Sequence, residues 1–108
     1  MGTITVKLAG KLDVSNADKW YQEISASLEK QAADLLEIDC DKLEYISSTG
    51  LRKFLYIIRS GISVRCTNVS PKIYEIFDET GFTRIMDIQK KPRKLNNLLI
   101  KVAVRAKE

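Results

Sequence analysis

The chain of 108 residues contains no histidine. That removes the commonest general base and the commonest metal ligand, and with them the easiest routes to hydrolytic or zinc chemistry. Cysteine is scarce: only Cys40 and Cys66, each inside an apolar stretch and at a spacing that fits no metal motif. Two cysteines make no disulfide framework, so both read as small buried hydrophobes of a reducing compartment. No apolar run approaches the length of a membrane span. The start, Met-Gly-Thr-Ile-Thr-Val, has no basic segment followed by an apolar stretch, so no secretory signal is expected and the chain is placed in the cytoplasm. A phosphate-cradling glycine loop is also missing, which argues against a nucleotide-hydrolysing enzyme. No cofactor, no metal site and no catalytic residue are expected.

What is present is a soluble globular composition, 44% hydrophobic and 30% charged, at a length that suits one domain with one core. A single domain over residues 1–108 is expected, with its core in 3–88. The net charge of +4 is unevenly placed. From Lys90 to Glu108 there are seven basic residues and one acidic, which leaves 11 basic and 13 acidic in residues 1–89. A basic tail can meet nucleic acid or an anionic membrane. Here the aromatics are not interleaved with it, so direct nucleic-acid binding is not expected. Segment 89–108 is read as a terminal helix with a solvated basic face. The alternation of Ile100, Val102 and Val104 would equally allow a strand.

Element types alternate along the chain. "TITVKLAG" places Ile4, Val6 and Leu8 on one side of a strand, and "GKLDV" suits a short paired strand after a turn at Gly10. Ser15 or Asn16 can cap a helix whose buried face is Ala17, Trp20, Tyr21, Ile24 and Leu28. "DLLEIDC" reads as a buried strand. Helical spacing returns with Leu51, Phe54, Leu55 and Ile58 and stops at Gly61. "ISVRCTNV" is a further strand. "SPKIYEIFDETG" is a helix with Ser70 as cap and Pro71 at its first position. "FTRIMDI" is read as a last short strand. This order predicts an α/β fold: a mostly parallel mixed sheet of four to five strands packed with about four helices, joined by right-handed crossovers.

In such a sheet the turns after the strands form the rim most used for binding. "ISSTGLR", Ile46 to Arg52, lies on that rim and enters a helix. Its three hydroxyls have two readings. Ser47 or Ser48 can cap the helix. Alternatively, one of them is an acceptor for phosphate, which a helix N-terminus can host. Asp39 and Asp41 flank Cys40 and read as the polar face of a strand end rather than a metal pair.

The stretch "LLEIDCDKLEYISSTGLRKFL", with "GKLDV" upstream and "VSPKIYEIFDETGF" downstream, resembles the STAS domain of bacterial anti-sigma factor antagonists. The family pattern runs Asp-Ser-Ser/Thr-Gly-Leu at a helix start, with Gly-x-Leu-Asp before it and Ser-Pro and Thr-Gly-Phe after it. The resemblance covers residues 3–88 and implies a STAS-like fold. It implies a non-enzymatic regulator that binds an anti-sigma factor which is also a serine kinase. That kinase phosphorylates the antagonist, and a serine/threonine phosphatase reverses the step. Ser48 matches the phosphorylated serine, Thr49 the residue after it and Gly50 the glycine. Ser47 stands where the family carries Asp. Asp13 matches the upstream Asp. The partner is expected on the rim of Asp13, Ser47, Ser48, Thr49 and Gly50, and on an exposed side of the following helix including Arg52 and Lys53. The other function considered is an accessory STAS subunit, never phosphorylated, that binds a transporter or a lipid-handling complex.

Overall fold

The computed structural model describes residues 2–92. Strand β1 (Thr3–Lys7) is followed by β2 (Gly10–Leu12), α1 (Ala17–Lys30), β3 (Leu35–Asp39), β4 (Leu43–Ile46) and α2 (Ser48–Arg59). Then come β5 (Ser63–Val69), α3 (Pro71–Glu79), a 3-10 turn at Phe82–Arg84 and β6 (Asp87–Lys90). Four strands form one sheet in the order β1-β3-β5-β6, and β2 pairs with β4 separately. Every strand pair among the described residues is parallel. The α/β class is as expected. The main sheet has four strands, within the four to five expected, and is wholly parallel over these residues, while β2 and β4 form a separate pair.

Parallel pairing puts like-numbered positions side by side. Val6, Ile38, Cys66 and Ile88 form one row across the four strands, and Ile4, Leu36 and Val64 form another. Leu36, Ile38 and Cys66 are fully buried there. The alternate row, Thr5, Glu37, Arg65 and Asp87, lies on the opposite, more exposed face. Across it the Arg65 guanidinium donates to Asp87 at 3.0 Å and to Glu37 at 3.3 Å. Aromatic rings tie the helices together: Trp20 stacks on Phe54 at 5.2 Å, Phe54 meets Phe77 at 5.9 Å, and Phe77 meets Phe82 at 6.2 Å. Such contacts add to the burial of large apolar surface that drives collapse.

Several expectations need correcting. The segment "FTRIMDI" is a strand only at its end: Phe82–Arg84 is a 3-10 turn, and β6 begins at Asp87. Gln89 and Lys90 therefore belong to β6, and the segment read as helical from 89 opens as a strand. Residues 93–108, the rest of that segment, lie outside the described residues. Asn16 occupies the N-cap position of α1 but makes no cap hydrogen bond. Its amide reaches backward instead, accepting from the Asp13 N–H at 2.9 Å and donating to the Lys11 carbonyl at 2.7 Å. It clamps the turn that leaves β2. At the end of α2, Gly61 has φ +97°, which suits the left-handed position expected of it.

Candidate functional site

Strand β4, unforeseen in the sequence, carries the site. It pairs with β2 so that Lys11 faces Tyr45 and Leu12 faces Ile46. The Ser47 N–H donates to the Leu12 carbonyl at 2.9 Å, extending that pairing by one residue. The backbone then turns into α2. Ser47 is its N-cap, with extended φ and ψ, and its Oγ accepts the Gly50 N–H at 3.2 Å. The capping duty left open between two serines thus falls to Ser47.

Ser48 is the first residue of α2 and is exposed. Its hydroxyl has no hydrogen-bond partner among the described residues. Thr49 is half-buried beside it. Gly50 is buried, and the reason is steric. A Cβ there would lie 2.9 Å from the Ile46 Cγ1, 2.9 Å from the Leu12 carbonyl oxygen and 3.1 Å from the Leu12 Cδ2. Glycine lets the first turn of α2 settle against the β2–β4 ladder. Gly50 is among the residues expected on the partner rim, and in this structure it is buried with a packing role.

Asp13 follows Leu12 and reaches the rim beside Ser47. Its Oδ1 accepts from the Ser15 hydroxyl at 2.6 Å and from the Ser15 N–H at 2.9 Å. The Ser15 hydroxyl, then the Ser15 backbone N–H, hold the carboxyl below its ordinary pKa. It is an ionised, oriented acceptor on an open surface. Val14, one residue on, is 78% exposed, and Tyr45 on β4 is also exposed. Neither was foreseen as a rim residue. The only available signal, a strand pairing that sets "GKLDV" beside "LEYISS", depended on recognising β4.

Along α2, Arg52 is exposed, whereas Lys53, expected on the exposed side of the helix, is half-buried. The Lys53 Nζ lies 2.6 Å from Asp18 Oδ1, and 5.5 and 5.3 Å from the ring centroids of Tyr21 and Tyr56. Its long stem is packed between α1 and α2 while the charge is neutralised. Helix α2 itself contains no carboxylate.

Elsewhere, Asp39 accepts from Asn68 Nδ2 at 3.1 Å and from the Asp41 N–H, while Asp41 pairs with Lys91 at 2.7 Å. Both are structural, and no cluster of three or more potential metal ligands occurs among the described residues. Cys40 and Cys66 are fully buried. The Cys40 thiol beside it and burial together push the Cys66 thiol far up, so it stays protonated. No described helix is long and apolar enough to cross a membrane.

The described residues form a small parallel α/β domain with an exposed hydroxyl where a rim helix begins. Residues 1–95 match the STAS domain family, and the chain belongs to that family. The anti-sigma-B factor antagonist of Bacillus subtilis (strain 168) is 34% identical over 92 residues, 82% of this chain and 83% of that protein. Among solved structures, the Bacillus cell fate determinant SpoIIAA in its phosphorylated form has a TM-score of 0.60 at 20% identity, over 89% of this chain and 87% of that one. A sulfate transporter family protein from Wolinella succinogenes has a TM-score of 0.67 at 15% identity, over 92% of this chain and 88% of that one.

Proposed function

We propose that this chain is an anti-sigma factor antagonist, switched off by phosphorylation of Ser48. It binds a cognate anti-sigma factor that is also a serine kinase, through the rim of Asp13, Ser47, Ser48 and Thr49 and the exposed Arg52. The kinase transfers the γ-phosphoryl of ATP to the Ser48 Oγ. The new Oγ–P bond replaces the bond to ADP, and the hydroxyl proton passes to a base of the kinase. A serine/threonine phosphatase hydrolyses the ester and restores binding. The chain itself is the acceptor and not an enzyme.

One observation carries this reading: capping is done by Ser47, which leaves the Ser48 hydroxyl exposed and structurally unemployed. The names of the relatives give the reading its regulatory direction. Phosphate adds about −1.5 to −2 charges to a surface that was matched to a neutral hydroxyl. An unpaired interface charge costs about 2–5 kcal/mol, so affinity should fall roughly 30-fold or more. Ser47 in place of the family Asp removes one carboxylate that the phosphate would otherwise meet.

Incubation with the cognate kinase and ATP should add one phosphate, mapped to Ser48 by fragment-ion mass spectrometry. Phosphate on Thr49 alone, or none with a kinase shown to bind, would overturn the assignment. Ser48→Ala should bind and resist modification, while Ser48→Asp should fold and fail to bind. Equal binding by the two variants would remove the charge switch at Ser48 and leave the alternative, an accessory STAS subunit of a transporter or a lipid-handling complex.

A further inference from the structure

We infer that Arg52 is the internal counter-cation of the phosphate on Ser48, so that modification withdraws Arg52 from the partner surface as well as adding charge to it. This rests on the phosphoacceptor reading of Ser48. The argument concerns the Arg52 side chain rather than the helix end. Ser48 and Arg52 are both exposed and stand four residues apart on α2. Four residues bring side chains onto the same helix face, about 6 Å apart along the axis. An anion placed N-terminal to a cation at this spacing is the favourable order of the pair. A guanidinium can also grip two phosphate oxygens at once, which an ammonium cannot.

The surroundings leave Arg52 available. It has no ion-pair partner among the described residues, and α2 holds no carboxylate that could compete. Asp18, at the start of α1, is already bound to Lys53. On the other side of the rim, Asp13 is held by Ser15. Arg59, the other free arginine of α2, stands eleven residues from Ser48, about 16 Å along the axis, and is too far to reach the phosphate. Thus Arg52 stands about one turn from the modified hydroxyl, and the partner loses that cation when phosphate arrives. The switch acts twice on one surface: it adds an anion and occupies the arginine.

The test needs neither kinase nor partner. Phosphoserine is encoded at position 48 of the full chain, and the second phosphate ionisation is followed by phosphorus NMR against pH. Pairing favours the dianion, so the titration midpoint should lie below that of an unstructured phosphoserine peptide. Arg52→Gln should raise it by about 0.3–0.4 unit, which is an i,i+4 pair energy of ~0.5 kcal/mol converted at 1.36 kcal/mol per unit. Arg52→Lys should retain part of the shift, and Arg59→Gln should leave the midpoint in place. Circular dichroism melts show whether each variant is folded. The same midpoint in the parent and in Arg52→Gln would overturn the inference. Because the phosphate is installed genetically, that result is independent of whether a kinase selects Ser48.

Discussion

Replacing Gly50 with alanine sets two effects of opposite sign against each other. Intrinsic preference favours the change, since alanine in a helix is better than glycine by roughly 1 kcal/mol, and less than that in a first turn. Packing opposes it. The added Cβ would meet two atoms at 2.9 Å, and one of them is the Leu12 backbone oxygen, which also accepts the Ser47 N–H. The Ile46 side chain can rotate a little; a carbonyl held in the β2–β4 ladder cannot. Overpacking of this kind costs about 1–3 kcal/mol. The net result should be a loss of about 1–2 kcal/mol, or on the order of 5–10 °C in melting temperature for a domain of this size. Urea unfolding with unchanged m-value is the assay. If Gly50→Ala is neutral or stabilising, the close approach of α2 to β2 is not the reason for glycine there, and the placement of Ser48 loses its steric anchor.

Two further outcomes follow from the same rim. Ser47→Ala removes the cap of α2 and should cost about 1 kcal/mol in urea unfolding, with Ser47→Gly costing only a few tenths; equal losses would assign the effect to something other than the cap bond. Asp13 is more acidic when folded than when unfolded, so its contribution is present above the unfolded pKa and is lost as pH falls through the folded one. Asp13→Asn should therefore lose stability at neutral pH but show a shallower decline from about pH 5 to about pH 2, read from melting temperature against pH.

The sequence made the alternation of elements visible because most of it is written in strong periodicities. The buried face of α1 and the Ser70–Pro71 start of α3 are read directly, and Ser70 Oγ does accept the Ile73 N–H at 3.3 Å. Strand β4 escaped for a physical reason. Its burial runs buried, exposed, exposed, buried from Leu43 to Ile46, without the strict alternation of a half-buried strand. The last segment misled for the converse reason. Phe82, Met86 and Ile88 sit at even spacing, but the 3-10 turn and the exposed Ile85 interrupt the strand that this spacing suggests. At the site, "ISSTG" located the helix start, but the choice between two adjacent serines depends on which backbone N–H each oxygen can reach. The fate of Lys53 was hidden too, since Asp18, Tyr21 and Tyr56 converge on it only after α1 and α2 pack.

The separation of the capping serine from its exposed neighbour bears on how long each form of the protein lasts in a cell. Degradation follows the small fraction of unfolded chain, and a change of 1–2 kcal/mol alters abundance several-fold. Had the proposed acceptor hydroxyl also been the cap, each phosphorylation would disturb the helix and draw proteases to one form of the molecule. With Ser47 holding α2, the modified and unmodified pools should turn over at similar rates. On the proposed switch, the ratio between them would then be set by the kinase and phosphatase and not by differences in lifetime.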